Sequence, residues 1–274
     1  MKRTLEAYWL RTMVVLLFLC ALATEATAGA TPRRGGAVKG SMIRITQGQT
    51  KLSGYLALPK GAGTHATVIV VQEWWGVNDW VKQQADSLAA HGYVAFAPDL
   101  YHGKVAYDEA TAHQLMSGLT DEDAMATLRA AADFLRSRED VRAQAIGVIG
   151  WCMGGKYAIR LAAADPGIRA CVMYYGAPIT DETAIRGLQA AVLGNFGEED
   201  QGPTPEQVRA FEAALKKAGK KVDFKIYPGA GHAFANVNNP WGGYRPAPAK
   251  DAWARTLDFL NRELKLASLP NRAN

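Results

Sequence analysis

The sequence predicts a single α/β domain, a mostly parallel sheet with helices on both faces, entered through an antiparallel hairpin. Three observations predict it. Short runs such as ATVIVVQE (Ala66 to Glu73) and AIGVIG (Ala145 to Gly150) are continuously apolar rather than alternating, as in strands buried on both faces. These runs alternate with helical patterns, the order that gives a parallel sheet under two layers of helix. The 274 residues, 49% hydrophobic and 21% charged, suit one domain with a full core and exclude a disordered chain.

The elements follow in order. Ile43 to Gln47 and Lys51 to Pro59 alternate apolar and polar around Gly48, which predicts the hairpin. After the strand at Ala66 to Glu73, a helix runs from Asn78 to Gly92, with Asn78 or Asp79 as its cap and Gly92 as its stop. Tyr93 to Asp99 is a strand. Helical patterns follow around Asp108 to Met116 and Asp121 to Arg138. Ala145 to Gly150 is the next strand, and a helix starts at Met153. The strands Arg169 to Tyr175 and Ala190 to Phe196 come next. Then come the helix Pro205 to Gly219, the strand Val222 to Tyr227 and a last helix around Ala247 to Leu264. No internal repeat interrupts this plan.

The N-terminus reads as an export signal. MKRTLEAYWLRT carries Lys2, Arg3 and Arg11, Met13 to Ala23 is apolar, and Ala26 to Ala28 offers small residues for cleavage before Gly29. The apolar stretch is too short for a membrane span. The expected organisation is a signal peptide over residues 1–28, a flexible leader over 29–41, the domain over 42–266 and a tail over 267–274. An exported, periplasmic or secreted monomer is expected. Net charge is +5, but the lysines and arginines are scattered. Lys216 to Lys221 reads as a solvated helix end, so no nucleic-acid partner is expected.

Of the three cysteines, Cys20 falls in the signal. Cys171 lies in an apolar strand and reads as a small buried hydrophobe. Cys152 is different. It sits in Gly150-Trp151-Cys152-Met153-Gly154, between a strand and a helix. This is the G-x-S-x-G nucleophile elbow with sulfur in place of oxygen. Glycines permit the tight turn, and the helix N-terminus favours a thiolate. The motif alone is short; the strand before it and the helix after it give it weight.

Nucleophile, acid and histidine follow in the chain order of α/β-hydrolases. Glu198, Glu199 and Asp200 lie in the loop after one strand, and His232 in the loop after the next. His232 takes the thiol proton or pairs with the thiolate, and the acid orients the imidazole. Asp200 is the preferred acid because a turn can fix it, with Asp181 as runner-up. Backbone N–H groups of Trp74 and Met153 stand where an oxyanion hole is expected. Glu73, at a strand end, points to the same cavity, either to hold a neutral thiol or to face solvent. Trp75, Tyr101, Lys104, Trp151, Phe234, Asn236 and Trp241 are the expected walls of a substrate pocket. Neither Cys152 nor Cys171 has metal-ligand spacing with a histidine, so no metal and no cofactor is expected.

QEWWGVND, FAPDLYHGK, GVIGWCMGGKYAIRLA, NFGEEDQGPTP and YPGAGHAFAN, in that order, resemble the dienelactone hydrolase family of α/β-hydrolases, over about Leu52 to Leu264. The resemblance implies an α/β-hydrolase fold and a Cys152-His232-Asp200 triad, with Glu73 holding the resting thiol. It implies a carboxylic ester or lactone hydrolase, whose best-known relatives open carboxymethylenebutenolide-type lactones and grip the substrate carboxylate with two arginines. This sequence departs there. Asn236 stands where one arginine is expected, and His102-Gly103-Lys104 supplies no other. A lysine gives a point charge, not a bidentate fork. The resemblance therefore carries the hydrolase chemistry further than it carries an anionic substrate. The competing readings are a thioesterase, a redox protein working through Cys152, and a non-catalytic small-molecule binding protein on a hydrolase scaffold.

Overall fold

In the computed structural model the described residues are 38–265, apart from 48 and 49. The signal, most of the leader and the whole of the tail expected from the sequence lie outside them. Eight strands form one sheet in the order β1-β2-β4-β3-β5-β6-β7-β8. They are β1 (Ser41–Gln47), β2 (Thr50–Ala57), β3 (His65–Val71), β4 (Val94–Pro98), β5 (Val141–Trp151), β6 (Ile168–Tyr174), β7 (Ala191–Gly197) and β8 (Val222–Tyr227). β1 pairs antiparallel with β2, and β2 antiparallel with β4; the remaining pairs are parallel. This is the mostly parallel α/β-hydrolase sheet with an antiparallel N-terminal hairpin that the sequence predicts.

The helices are α1 (Asp79–Ala90), α2 (Glu109–Gly118), α3 (Asp121–Arg136), α4 (Met153–Ala164), α5 (Glu182–Gly187), α6 (Pro205–Lys217) and α7 (Pro246–Leu260), the last running into a π-helical turn, Asn261–Lys265. Their starts are written in the sequence. Asn78, Asp108 and Thr120 each accept a backbone N–H from the first turn, and Thr204 and Gln207 form a reciprocal capping box before Pro205. Such caps satisfy N–H groups that the helix itself leaves unpaired.

Strand alternation sorts the core into two layers. On β3, Val68 and Val70 face a layer with Trp80, Leu88 and Phe259 of α1 and α7. Ile69 and Val71 face the other, with Leu128, Ile159 and Phe211 of α3, α4 and α6. Each of these side chains is nearly or fully buried, contributing about 1.5–3 kcal/mol apiece. The short α5 has no sequence forecast; six residues are too few for a helical period to show. With both faces covered, loops at the carboxyl ends of β3, β5, β7 and β8 converge at one edge, where ligands bind in sheets of this kind.

Candidate active site

At the end of β5 the backbone turns sharply. Cys152 has φ 54° and ψ −120°, a left-handed conformation that is strained for a residue with a Cβ. Hydrogen bonds pin it. Its N–H donates to Tyr174 O at 3.0 Å, and its own carbonyl accepts from Gly155 N at 3.0 Å and Lys156 N at 3.3 Å. The flanking glycines are steric necessities. A methyl on Gly150 would overlap the Gly154 carbonyl, and one on Gly154 would overlap the carbonyls of Val71 and Gln72. The turn lifts a half-buried thiol to the N-terminus of α4. Cys171, on β6, is fully buried, and burial pushes its thiol well above the usual range. Both thiols are free.

The loop after β7 supplies Asp200, which is 2% exposed. One oxygen accepts the Gly202 N–H at 2.8 Å, and the other meets His232 Nδ1 at 2.9 Å. His232, from the loop after β8, lines the same hollow as Cys152. Burial favours the neutral ring, but the hydrogen bond to Asp200 and the neighbouring Cys152 sulfur outweigh it and raise the imidazole to about 10. His232 therefore stands as a cation between a carboxylate and a sulfur. Asp181 is elsewhere: it caps α5, accepting the Ala184 N–H at 2.7 Å.

Glu73, just past β3, is 2% exposed. Desolvation pushes its carboxyl up to about 7, against the opposing pull of Asn236, His232 and Tyr175. Its oxygens accept Asn236 Nδ2 at 2.6 Å and the Tyr175 hydroxyl at 3.4 Å. Glu73 is thus held by Asn236 and Tyr175, in the hollow that Cys152 also lines. Among the described residues, neither the Trp74 nor the Met153 N–H is spent on a backbone acceptor. Trp74 lies in the loop after β3, and Met153 follows Cys152 as the first residue of α4.

A hollow of about 300 Å³ opens over these groups. Trp74, Trp75 and Trp241 form its aromatic wall, with ring centroids 5.0 to 6.1 Å apart. The Trp241 indole N–H donates to Glu109 on α2 at 2.5 Å. Glu73, Cys152, His232 and Asn236 line the hollow, and among the described residues no lysine or arginine does. Among the described residues, no group of three or more His, Cys, Asp or Glu is arranged to hold a metal ion.

Four residues expected in the pocket stand outside this lining. Trp151 is 1% exposed, because it precedes the elbow and strand alternation turns it inward against Trp80 and Tyr174. Phe234 is fully buried between Tyr175 and Tyr227. Tyr101 is buried with its hydroxyl 3.4 Å from Met153 Sδ. Lys104 is exposed and borders a separate hollow against α2. Sequence reasoning missed Tyr175, Met116 and Gly202. Tyr175 directly follows β6, has φ 39°, and lays its ring 5.1 Å from that of His232. Its place at a strand end was the signal available; Met116 and Gly202 reach the hollow through packing alone.

A sequence model described as the dienelactone hydrolase family matches residues 52–264. A relative from Methylorubrum extorquens, named "Putative carboxymethylenebutenolidase", is 32% identical over 234 residues, covering 80% of each chain. A relative of the same name from Salmonella typhimurium is 34% identical, covering 82% of this chain and 88% of its own. Among solved structures, a "Putative Dienelactone Hydrolase" from Klebsiella pneumoniae superposes with a TM-score of 0.75 at 29% identity, covering 82% of this chain and 99% of that one.

Proposed function

The chain belongs to the dienelactone hydrolase family, a family of lactone and ester hydrolases, and from that premise we propose that it cleaves uncharged lactones or esters through an acyl-enzyme on Cys152. The observation that carries this reading is the 2.9 Å contact of His232 with buried Asp200, beside Cys152 at the head of α4.

The chemistry proceeds in two halves. The Cys152 sulfur, charge-paired with imidazolium, attacks the acyl carbon and forms a C–S bond. The developing oxyanion accepts the N–H groups of Met153 and Trp74; a single such donor is worth about 3–4 kcal/mol in a well-characterised hydrolase. As the C–O bond breaks, His232 gives its proton to the leaving alkoxide. His232, now neutral, takes a proton from water, and the hydroxide attacks the thioester. The C–S bond breaks, the acid leaves, and sulfur and imidazolium are restored. Asp200 keeps the ring in the tautomer both halves need. Glu73, held by Asn236 and Tyr175, keeps a carboxyl beside the reacting sulfur.

Among the described residues the lining holds no lysine or arginine to pair with a substrate carboxylate, which supports an uncharged substrate. A panel of aryl esters, lactones and thioesters, run on the wild type and on Cys152→Ala, tests the reading. Turnover of esters or lactones that vanishes in the variant is expected. Turnover of thioesters alone would make it a thioesterase, and an equally active variant would end the Cys152 mechanism. Export is part of the same proposal and rests on residues 1–28. N-terminal sequencing of the secreted product should begin near Gly29, and a cytosolic protein retaining Met1 would refute it.

A further inference from the structure

A second hollow, of about 690 Å³, runs between α5 and α6. Pro178, Ile179, Ile185, Pro203 and Phe211 line it, and Glu182 is the one charged residue among its walls. Ile179, Ile185 and Phe211 are 9%, 5% and 4% exposed, so these walls belong to the packed core. The furrow is therefore a fixed feature rather than a loose surface.

Its position gives it a purpose. Gly202 lines both this furrow and the hollow over Cys152. Gly202 is also part of the turn that fixes the acid, through its N–H to Asp200. Where a Cβ would stand on Gly202, no other atom lies within 4 Å. The two hollows therefore share Gly202 as a wall, beside the Asp200–His232 pair, and Gly202 has no side chain to stand between them. The Cys152 hollow, at about 300 Å³, is at the small end for a ligand site. A lactone ring or short ester fills it, and a longer arm must leave it.

We propose that the furrow between α5 and α6 seats an uncharged hydrocarbon arm of the substrate, covalently continuous with the acyl group at Cys152. This rests on the acyl-enzyme reading above. It adds that substrates are amphipathic esters or lactones with an apolar chain, not compact polar lactones. Glu182 at the rim repels an anionic arm, and no cation there attracts one.

The test uses two series of uncharged esters. In one the acyl arm grows from two to eight carbons on a fixed phenol; in the other the alcohol arm grows on a fixed acetyl group. The value of kcat/KM should climb in one series, by up to about fourfold per buried methylene, chiefly through KM. Ala210 is exposed on the furrow wall, so Ala210→Trp fills the furrow without disturbing the core. That variant should lose at least about tenfold on the eight-carbon ester of the climbing series and stay within about twofold of wild type on the shortest ester. Ala210→Ser, which fills nothing, should behave as wild type. A flat response in both series, or a climb untouched by Ala210→Trp, would overturn the furrow while leaving the Cys152 mechanism standing. Short-ester turnover that survives Cys152→Ala would instead overturn the reading beneath it, and the furrow with it.

Discussion

Asn236 donates its side-chain N–H to Glu73 across 2.6 Å, tying the loop after β8 to the end of β3 in the hollow that Cys152 also lines. A neutral amide stands where the family resemblance leads one to expect an arginine. An arginine would lower a neighbouring carboxyl by its full charge; an amide lowers it by one hydrogen bond. Desolvation therefore wins, and Glu73 rises to about 7.

That rise makes a stability prediction. The carboxyl moves from an ordinary 4.5 to about 7. Between those values the folded chain holds a proton that the unfolded chain has released, so stability falls as pH rises through this window. The loss from this group is about 3 kcal/mol once complete. Raised His232 adds a decline above its ordinary 6.5, so the reading is the difference between two chains. Urea unfolding of wild type and Glu73→Gln at pH 5 and pH 8 should show the variant losing less. Parallel declines would mean that Glu73 is charged throughout and that the amide holds it as well as a cation would.

The acid of the proposed triad can be told from its competitor by kinetics. Asp200→Asn should cut kcat/KM by at least about 10²-fold, because it leaves the imidazole in the wrong tautomer. It should also bring the alkaline limb of the pH profile down, since the bond to Asp200 helps hold His232 protonated. Asp181→Asn should change neither, because asparagine caps a helix as well as aspartate does and α5 asks only for a cap. An Asp181→Asn enzyme more damaged than Asp200→Asn would move the acid to the loop after β6.

Much of this was legible in the sequence, and the failures share a cause. Continuous β-branched runs announced the strands, and a cap residue, Asn78, announced the start of α1. The elbow was legible because sterics at Gly150 and Gly154 leave no other residue possible there. Chain order pointed to His232 and Asp200, because residues after parallel strands must gather at one sheet edge. Side-chain direction was not legible. Trp151 and Phe234 lie within two residues of Cys152 and His232 yet turn into the core. Whether a residue next to a strand end faces the cavity depends on a single backbone dihedral. Tyr175 faces the site for the converse reason, a positive φ just past β6. No periodicity forecasts such a turn.

Substrate charge is the third test. Among the described residues no lysine or arginine lines the Cys152 hollow, so none of them supplies the bidentate contact that would favour a carboxylate. A neutral lactone should match or exceed its anionic counterpart in kcat/KM. Lys104 is exposed beside another hollow, so Lys104→Ala should leave the ratio unchanged. A strong preference for the anion that Lys104→Ala abolishes would mean that the loop after β4 swings over the site when substrate binds.

The last prediction concerns the sulfur itself. Cys152→Ala should remove nearly all turnover, while Cys171→Ala should keep it and lose about 1 kcal/mol of stability, the price of a small void in a packed strand. Cys152→Ser separates nucleophile from scaffold. The elbow accepts serine sterically, since the hydroxyl is smaller than the thiol and the strained φ is unchanged. The chemistry resists it. A thiol gives up its proton readily to form the pair with His232, whereas a hydroxyl must be deprotonated during the attack itself. Glu73 adds to that difficulty above pH 7, where its carboxylate disfavours a second negative charge nearby. The serine variant should therefore fold normally and turn over far more slowly, with its deficit widening as pH rises past 7. Glu73→Gln in the serine background should recover part of the loss at pH 8 and little at pH 6. Mass spectrometry of wild type quenched during turnover of a slow ester should find the acyl mass on the peptide carrying Cys152. An adduct confined to any other residue, or an active Cys152→Ala enzyme, would show that the strained turn holds its thiol for some purpose other than attack.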